Sequence, residues 1–324
     1  MTIILTGVAG FIGYHVARSL LARGERVVGI DDCNAYYDVG LKEARLARLG
    51  EFPAFVFHRL DITDRAAIHA LFAAESAASQ VVHLAAQAGV RHALVDPYAY
   101  EASNLAGHLV ILEAARRLPQ LRHLVYASSS SVYGGNSRLP FSECDRVDQP
   151  ISLYAATKRG AELISLSYAH QFALRQTGLR FFTVYGPWGR PDMAYYSFAK
   201  AIIEDRPITL FDRGKLKRDF TYIDDIVSGV LGCLERPSEA NPPHRLLNIG
   251  NHQSEEVLTL VSLLEQSLGR KAIIQSAPRP PSEVQETFAA TAAIAALTGF
   301  SPTIPLAVGI PRFVAWFRAF HHVG

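Results

Sequence analysis

The chain has 324 residues, of which 49% are hydrophobic and 19% are charged, as is typical of a globular protein with one large or two smaller domains. Its 32 Lys and Arg residues nearly balance 30 Asp and Glu residues, so a net charge of +2 gives no reason to expect nucleic acid or an anionic membrane as a partner. The cysteines Cys33, Cys144 and Cys233 are widely spaced and odd in number, so neither disulfides nor a metal site are expected.

The start of the chain leaves no room for a signal peptide, because the strand-like run Ile3–Leu5 follows Met1 almost at once. No apolar run approaches the ~18 residues that a membrane-spanning helix needs. We therefore expect a cytoplasmic protein with no membrane contact.

The first predicted strand, Thr2–Thr6, leads into a glycine-rich turn and then an amphipathic helix that ends near Arg23. Gly7, Gly10 and Gly13 recur every third residue, so the backbone here can approach a pyrophosphate whose charge meets the helix N-terminus. The turn predicts a dinucleotide site. A tight turn that simply requires glycine is the alternative.

A second predicted strand, Arg26–Ile30, ends in Asp31, about 20 residues beyond the glycine-rich turn. An acid at this offset hydrogen-bonds ribose hydroxyls and repels a 2′-phosphate, so the sequence predicts NAD rather than NADP. An aspartate that merely begins a helix is the alternative.

The third and fourth predicted strands, 54–58 and 81–84, end in further candidate cofactor residues. Asp61 and Ile62 are placed to flank an adenine ring. Ala85 and Ala86 are small enough for a flat cofactor to lie against the backbone.

A long helix is predicted from Pro97 to Arg117, followed by a fifth strand, 123–127, and a sixth strand, 179–183. Strands that alternate with helices predict an α/β fold with a doubly wound parallel (Rossmann-type) sheet, whose ligands bind at the carboxyl ends of the strands. We expect an NAD-binding domain over residues 1–185 and about 224–250. The remaining Gly- and Pro-rich segments, about 186–223 and 251–324, predict a smaller C-terminal substrate-binding domain.

Tyr154 and Lys158 lie four residues apart on a predicted helix, and a serine run, 128–131, precedes them. Residues at this spacing share one face of a helix, so the Lys158 ammonium is expected to lower the pKa of Tyr154 from its ordinary value of ~10. A tyrosine that ionises more readily can act as a general base toward a substrate hydroxyl held by a serine.

Two isolated arginines are candidate donors to a diphosphate. Arg218 lies in a short basic patch, and Arg279 lies among prolines. A solvated surface arginine is the alternative for each.

Taken together, these motifs resemble the extended short-chain dehydrogenase/reductase superfamily across essentially the whole chain: TGVAGFIG, the serines before VYG, YAATK, RFFTVYGP, RDFTYIDDI and FVAWFR. Within it, three stretches are similar to the UDP-glucuronate 4-epimerases: GIDDCNAYYDVGLKEARL, QAGVRHALVDPYAY and YGPWGRPDMA. The segment 281–284 departs from the PGDV that this family more often has. The resemblance implies an isomerase that acts on a UDP-sugar, and a homodimer formed through two long helices of each subunit.

The resemblance also implies site residues. The catalytic residues are Tyr154 as the base, Lys158 as its modulator and Ser129 as the hydroxyl partner. The cofactor residues are Gly7, Gly10, Phe11, Ile12, Gly13, Asp31, Asp61, Ile62, Leu84, Ala85, Ala86, Tyr154, Lys158 and Tyr185. The substrate residues are Arg91, Ser129, Ser130, Thr183, Arg190, Arg218 and Arg279. No metal is expected.

Relatives in this superfamily share an oxidation at the sugar C4 and differ in the step after it. Dehydratases carry an Asp-Glu pair after the catalytic hydroxyl, and UDP-glucuronate decarboxylases carry a Glu before the VYG, whereas this chain has Ser130 and Ser131. Elimination would lack its proton donor. The sequence therefore favours a UDP-glucuronate 4-epimerase, with a neutral-sugar 4-epimerase or a decarboxylase as alternatives, and a non-catalytic NAD-sensing protein as an alternative from another class.

Overall fold

The computed structural model describes residues 1–280 and 284–323. The strands in chain order are β1 (Thr2–Thr6), β2 (Arg26–Asp31), β3 (Phe55–Arg59), β4 (Gln80–His83), β5 (His123–Ser129), β6 (Gln176–Phe181), β7 (Thr183–Tyr185), β8 (Pro207–Phe211), β9 (Lys217–Arg218), β10 (Phe220–Tyr222), β11 (His244–Ile249), β12 (Glu255–Glu256) and β13 (Ile273–Ala277). The α-helices are α1 (Phe11–Ala22), α2 (Val39–Gly50), α3 (Arg65–Ala74), α4 (Tyr98–Glu101), α5 (His108–Ala115), α6 (Leu153–Phe172), α7 (Ala194–Ile203), α8 (Ile223–Leu234), α9 (Val257–Leu268), α10 (Ala292–Thr298) and α11 (Leu306–His321).

Seven parallel strands form the main sheet in the order β11-β6-β5-β4-β1-β2-β3. The chain runs outward from β1 through β2 to β3, and then outward in the other direction from β4. The direction therefore reverses between β1 and β4, where a doubly wound sheet opens a crevice for ligands. The predicted fold class is confirmed.

Both faces of this sheet are covered. Ile3 and Leu5 of β1 pack into one buried cluster with α1 and α8, whereas Ile4 packs into another with α3 and α5. This alternation follows from the two-residue period of a strand, and each such side chain contributes about 1.5–3 kcal/mol on full burial.

In the part of the chain that the structure describes, three small two-stranded sheets lie outside the main sheet, and they pair β7 with β10, β8 with β13, and β9 with β12. The division of the chain into two domains remains a prediction. No helix in the described parts of the chain is both long enough and apolar enough to cross a bilayer.

Two predicted elements differ from the structure. The helix predicted from Pro97 to Arg117 is interrupted by a π-helical turn at Ala102–Gly107, where the Asn104 amide exchanges hydrogen bonds of 2.9 and 3.0 Å with the backbone of Gln87. The sixth strand ends at Phe181, because the N–H of Thr183 bonds Asp219 and so begins a separate pairing with β10. The sequence reasoning also named no strand at β11.

Candidate active site

A cleft of about 1000 Å³ opens where β1, β2, β4 and β5 end. The predicted cofactor residues that line it are Gly7, Gly10, Phe11, Ile12, Gly13, Asp31, Asp61, Ile62, Leu84, Ala85, Ala86, Tyr154 and Lys158. The predicted substrate residues that line it are Arg91, Ser129, Ser130, Thr183, Arg190 and Arg218. Residues far apart in the sequence thus meet in one cavity.

Two predicted site residues lie outside the cleft wall. The Tyr185 side chain is fully buried and packs edge-on against Phe220 and Tyr222, because β7 pairs with β10 and directs its ring into that aromatic layer. Arg279 is near the surface, 3.6 Å from the Asp212 carboxylate. The neighbouring positions 281–283, where the sequence departs from PGDV, lie outside the described residues.

The glycine-rich turn is packed too tightly for side chains. Gly7 has a φ of +75°, and a Cβ there would lie 2.7 Å from the backbone nitrogen of Ala85. Gly10 precedes α1 and offers no side-chain cap, so the first N–H groups of this helix are available to an anion in the cleft.

Asp31 closes β2 at the edge of the cleft. Its carboxylate accepts hydrogen bonds from the N–H groups of Ala9 (3.0 Å) and Cys33 (2.9 Å). Burial raises the pKa of Asp31, and the Cys33 bond and the Lys42 ammonium oppose that rise. Asp32 also lines the cleft and is exposed, so the structure offers a second acid that the sequence reasoning did not single out.

Tyr154 lies in the first turn of α6, which begins where the Ser152 side chain accepts a hydrogen bond of 3.1 Å from the Ala155 N–H. Burial raises the pKa of Tyr154, whereas its hydrogen bond with Ser129 and the positive charge of Arg190 lower it. The hydroxyl pair predicted from the sequence is therefore assembled.

The Lys158 ammonium donates a hydrogen bond of 2.9 Å to the carbonyl of Ala127. Burial lowers the pKa of Lys158 to about 8, and the Glu162 carboxylate opposes that shift. The sequence predicted that Lys158 lowers the Tyr154 pKa, but in the structure the pKa of Tyr154 is raised, because burial outweighs the neighbouring charges.

A buried ion pair lies one helical turn beyond Lys158. Glu162 and Arg180 are each about 1% exposed and share two hydrogen bonds of 2.8 and 3.0 Å. Ser128 donates a further bond of 2.6 Å to Glu162, and Arg159 approaches it at 2.9 Å from the helix surface. Burial favours neutral Glu162, but the bonds and charge of Arg180 outweigh it and lower the Glu162 pKa.

This network predicts a shift in pH dependence. Glu162→Gln removes the negative charge that holds up the Lys158 pKa, so the ammonium is lost at a lower pH and the alkaline limb of the kcat profile moves to lower pH. Because breaking a buried pair costs about 3–5 kcal/mol, thermal unfolding is measured alongside.

Arg159→Gln is the matched control for Glu162→Gln, since it removes a cation beside Glu162 and leaves the carboxylate in place. Its alkaline limb should not move to lower pH. An unchanged profile in folded Glu162→Gln protein would show that Glu162 does not set the Lys158 charge.

Arg190 lies in the cleft with an acidic partner that the sequence reasoning missed. Its guanidinium donates two hydrogen bonds to Asp192, and the Tyr36 hydroxyl donates a third, of 3.1 Å, to the same carboxylate. Asp192 raises the pKa of Arg190 against the opposing effect of burial, so the charge persists in the cleft. Asp192 falls within YGPWGRPDMA and Tyr36 within GIDDCNAYYDVGLKEARL, so the resemblance of these two stretches to the epimerases was the available signal.

Residues 3–250 match the sequence profile of the NAD dependent epimerase/dehydratase family. The chain belongs to this family. A probable UDP-glucuronate 4-epimerase of Rhizobium meliloti (strain 1021) is 45% identical over 98% of this chain and 97% of its own length. A UDP-glucuronic acid 4-epimerase of Bacillus cereus, solved with UDP-glucuronic acid and NAD, is 33% identical with a TM-score of 0.90 over 99% of this chain and 100% of its own. A Thermotoga maritima UDP-glucose 4-epimerase solved with UDP-glucose is 26% identical, with a TM-score of 0.88 over 99% and 100%.

The family's NAD dependence confirms the predicted cofactor, and the cleft fits it. Gly7 and Gly13 have no side chains that would block a pyrophosphate, and the N-terminus of α1 lies at the same turn. Asp31 and Asp32 lie at the end of β2, where an acid binds the ribose hydroxyls in this type of fold. These residues of an epimerase/dehydratase-family protein would hold the pyrophosphate and the adenine ribose.

Replacing the β2 acid tests this part of the cleft. Asp31→Asn should lower the NAD content of the purified protein and relax its rejection of NADP, because one charged acceptor is lost. A hydrogen bond to a charged group is worth about 1.5–3 kcal/mol, or roughly a tenfold to hundredfold loss in affinity.

Asp32→Asn is the companion variant, and bound dinucleotide is quantified after denaturation of each protein. If Asp31→Asn keeps its full NAD content and Asp32→Asn loses NAD, Asp32 rather than Asp31 binds the ribose.

Proposed function

We propose that this chain is an isomerase that converts UDP-glucuronate to UDP-galacturonate, by NAD-dependent 4-epimerisation through a transient 4-keto sugar. The observation that carries the proposal is the Arg190 guanidinium in the same cleft as the Tyr154–Ser129 pair. A fixed cation there suits a substrate carboxylate. The Rhizobium meliloti and Bacillus cereus relatives support the same reaction.

In the proposed mechanism Tyr154 removes the proton from the sugar O4, with the Ser129 hydroxyl holding the same oxygen. A bound NAD would supply reversible hydride transfer at C4, and inversion would require the 4-keto sugar to turn its other face to the cofactor before the hydride comes back. Lys158 supplies a positive charge in the same cleft as the base, and Arg91 and Arg218 line the cleft as donors to the diphosphate. Tyr154 then returns its proton to O4, so no net oxidation occurs.

A neutral UDP-sugar is the alternative substrate. Such a sugar would bring no carboxylate to Arg190, whose charge would then be paired with Asp192 alone. The Thermotoga maritima UDP-glucose 4-epimerase shares the fold at lower identity than the UDP-glucuronic acid 4-epimerase, which also favours the charged substrate. Ser130 in the cleft, where a dehydratase has an acid, argues against elimination.

The test is to incubate the purified protein with UDP-glucuronate and, separately, with UDP-glucose, without added cofactor. NMR of the sugar C4 proton distinguishes epimer from starting material. Epimer from UDP-glucuronate alone is the expected result. Turnover of UDP-glucose alone would assign the neutral-sugar alternative, and turnover of neither would favour an NAD-sensing protein.

We propose a homodimer that buries α5 and α6. These helices leave Leu109, Leu163 and Leu166 exposed by 38%, 50% and 36%. Leu163→Glu should shift the sedimentation coefficient from dimer to monomer, because it would bury a charge in that interface. A monomeric wild-type protein, or a variant that sediments as the wild-type dimer, would contradict this.

A cytoplasmic location is also proposed. The thiols of Cys33, Cys144 and Cys233 are free, as suits a reducing compartment. Fractionation of the producing cells checks the location, and recovery outside the cytoplasm would contradict it.

A further inference from the structure

The segment just before Arg190 is held by side chains from the first fifty residues. Three consecutive carbonyls, 187–189, each meet a side chain from α1 or α2. His15 bonds the Pro187 oxygen at 3.0 Å, and burial lowers the His15 pKa to about 3, so its neutral ring donates. Arg45 donates to the next two carbonyls at 2.6 and 3.1 Å.

Arg45 is fully buried and has an unusual set of partners. Its guanidinium donates to the Ala9 carbonyl and to the Tyr37 hydroxyl, both at 2.7 Å, in addition to the two carbonyls before Arg190. Within residues 1–280 and 284–323, no carboxylate lies within ion-pair distance of it. A buried cation without a counter-ion is costly unless hydrogen-bonded, so the neutral oxygens of three separate loops stabilise it.

Ala9 belongs to the glycine-rich turn, and its peptide is held from both sides. Its N–H donates to Asp31 and its carbonyl accepts from Arg45. One rigid guanidinium therefore joins the turn that faces the cofactor pyrophosphate to the two residues that immediately precede Arg190. The fork geometry of arginine allows this, whereas the single ammonium of lysine cannot reach the same set of oxygens at once.

The loop itself has little freedom to find another position. A Cβ at Gly189 would overlap the Tyr195 hydroxyl, and Trp188 adopts a φ of +61° while its ring packs on Trp316. Because the segment is tightly packed, a change at Arg45 should shift it as a unit and carry the Arg190 guanidinium away from its place in the cleft.

We infer that Arg45 is a positioning residue that fixes Arg190 relative to the cofactor turn, and that it thereby sets how firmly the sugar carboxylate is held during the reaction. The inference rests on the proposed function. It assigns a role in substrate handling to a residue on α2, outside the cleft wall. If Arg45 had only a structural role, replacing it would lower the stability of the protein without changing the ratio of its affinities for charged and neutral ligands.

The first test measures binding rather than turnover. Arg45→Met should weaken UDP-glucuronate binding by roughly tenfold in calorimetry while leaving UDP-glucose binding unchanged, because only the charged sugar uses Arg190. Arg45→Lys should fall between Arg45→Met and wild type. Leu46→Ala, a buried core change on the same helix, is the matched control and should lower the thermal midpoint without altering the ratio of the two affinities.

The second test is a double-mutant cycle with Arg190→Ala. If Arg45 acts through Arg190, Arg45→Met should add no further loss of UDP-glucuronate affinity once Arg190 is absent. An additive loss, or an unchanged affinity ratio in Arg45→Met or, should that variant not fold, in Arg45→Lys, would overturn the inference.

The two hypotheses fail in different ways. If wild-type protein binds UDP-glucose as tightly as UDP-glucuronate and epimerises only the former, the proposed substrate is wrong, and Arg45 has no carboxylate to position. If wild-type protein prefers and epimerises UDP-glucuronate but the Arg45 variants keep that preference, only the inference fails.

Discussion

Tyr154→Phe should fold, retain NAD and lose turnover by about 10³-fold, since a positioned general base contributes about 10²–10⁴-fold. The ring fills the same space, and the loss in stability should not exceed that of its hydrogen bond with Ser129, about 1 kcal/mol. Steady-state turnover of UDP-glucuronate and bound NAD content are the two measurements.

Tyr14→Phe provides the matched control for this loss. Tyr14 is fully buried and lies outside the cleft wall, and its hydroxyl has no hydrogen-bond partner among the residues that the structure describes. It should keep wild-type turnover. If the activity of Tyr154→Phe is within a few-fold of wild type, Tyr154 is not the base, and the Ser129 hydroxyl becomes the next candidate.

The main sheet was largely predictable because local signals agreed with the global fold. The apolar run Thr2–Thr6 forms β1 with the predicted bounds. The turn after it requires glycine at position 7, because a Cβ there would collide with the backbone of Ala85. Strand ends depended on long-range partners. The end of β6 is set by the carbonyl of Asp219, far along the chain, which no local pattern specifies.

The site was predictable where a motif maps directly to geometry and less so where loops from distant segments meet. Tyr154 and Ser129 form the expected pair because α6 follows β5 in one compact unit. Tyr185 was predicted to bind the cofactor because of its motif, yet its ring packs against Tyr222 of β10 in an aromatic layer. Asp192 and Arg45 escaped notice because their roles depend on contacts with distant parts of the chain. Asp192 contacts Tyr36, which lies before α2, and Arg45 of α2 contacts the carbonyl of Trp188.

The charge of Lys158 shows the same limit. Its spacing to Tyr154 was correct, but sequence alone could not weigh burial, which lowers the Lys158 pKa to about 8 and raises that of Tyr154. Nor could it identify Glu162, buried against Arg180, as the group that opposes the Lys158 shift.

Arg190→Ala should convert part of the epimerase reaction into a decarboxylation. Oxidation at C4 makes a β-keto acid, whose C5–C6 bond breaks when it aligns with the ketone; carbon dioxide leaves, the electron pair passes to the enolate, and C5 takes a proton. The products are a UDP-4-keto-pentose, carbon dioxide and NADH. In wild-type protein, Nε and Nη2 of Arg190 donate to Asp192, and we expect its third nitrogen, Nη1, to keep the carboxylate out of that alignment.

The measurement is carbon dioxide released per NADH formed, followed by absorbance, together with the KM for UDP-glucuronate. Loss of a charged contact worth about 1.5–3 kcal/mol should raise KM roughly tenfold to hundredfold.

Asp192→Asn should release less carbon dioxide than Arg190→Ala, because it loosens the guanidinium without removing it. Arg206→Ala, which removes an arginine that pairs with Glu204 on the surface, should behave as wild type. If Arg190→Ala raises only KM and still gives pure epimer, other residues protect the carbon skeleton of the sugar from decarboxylation. Ser129, Ser130 and Thr183, which the resemblance gave as substrate residues, line the same cleft and are then the next candidates to hold the carboxylate.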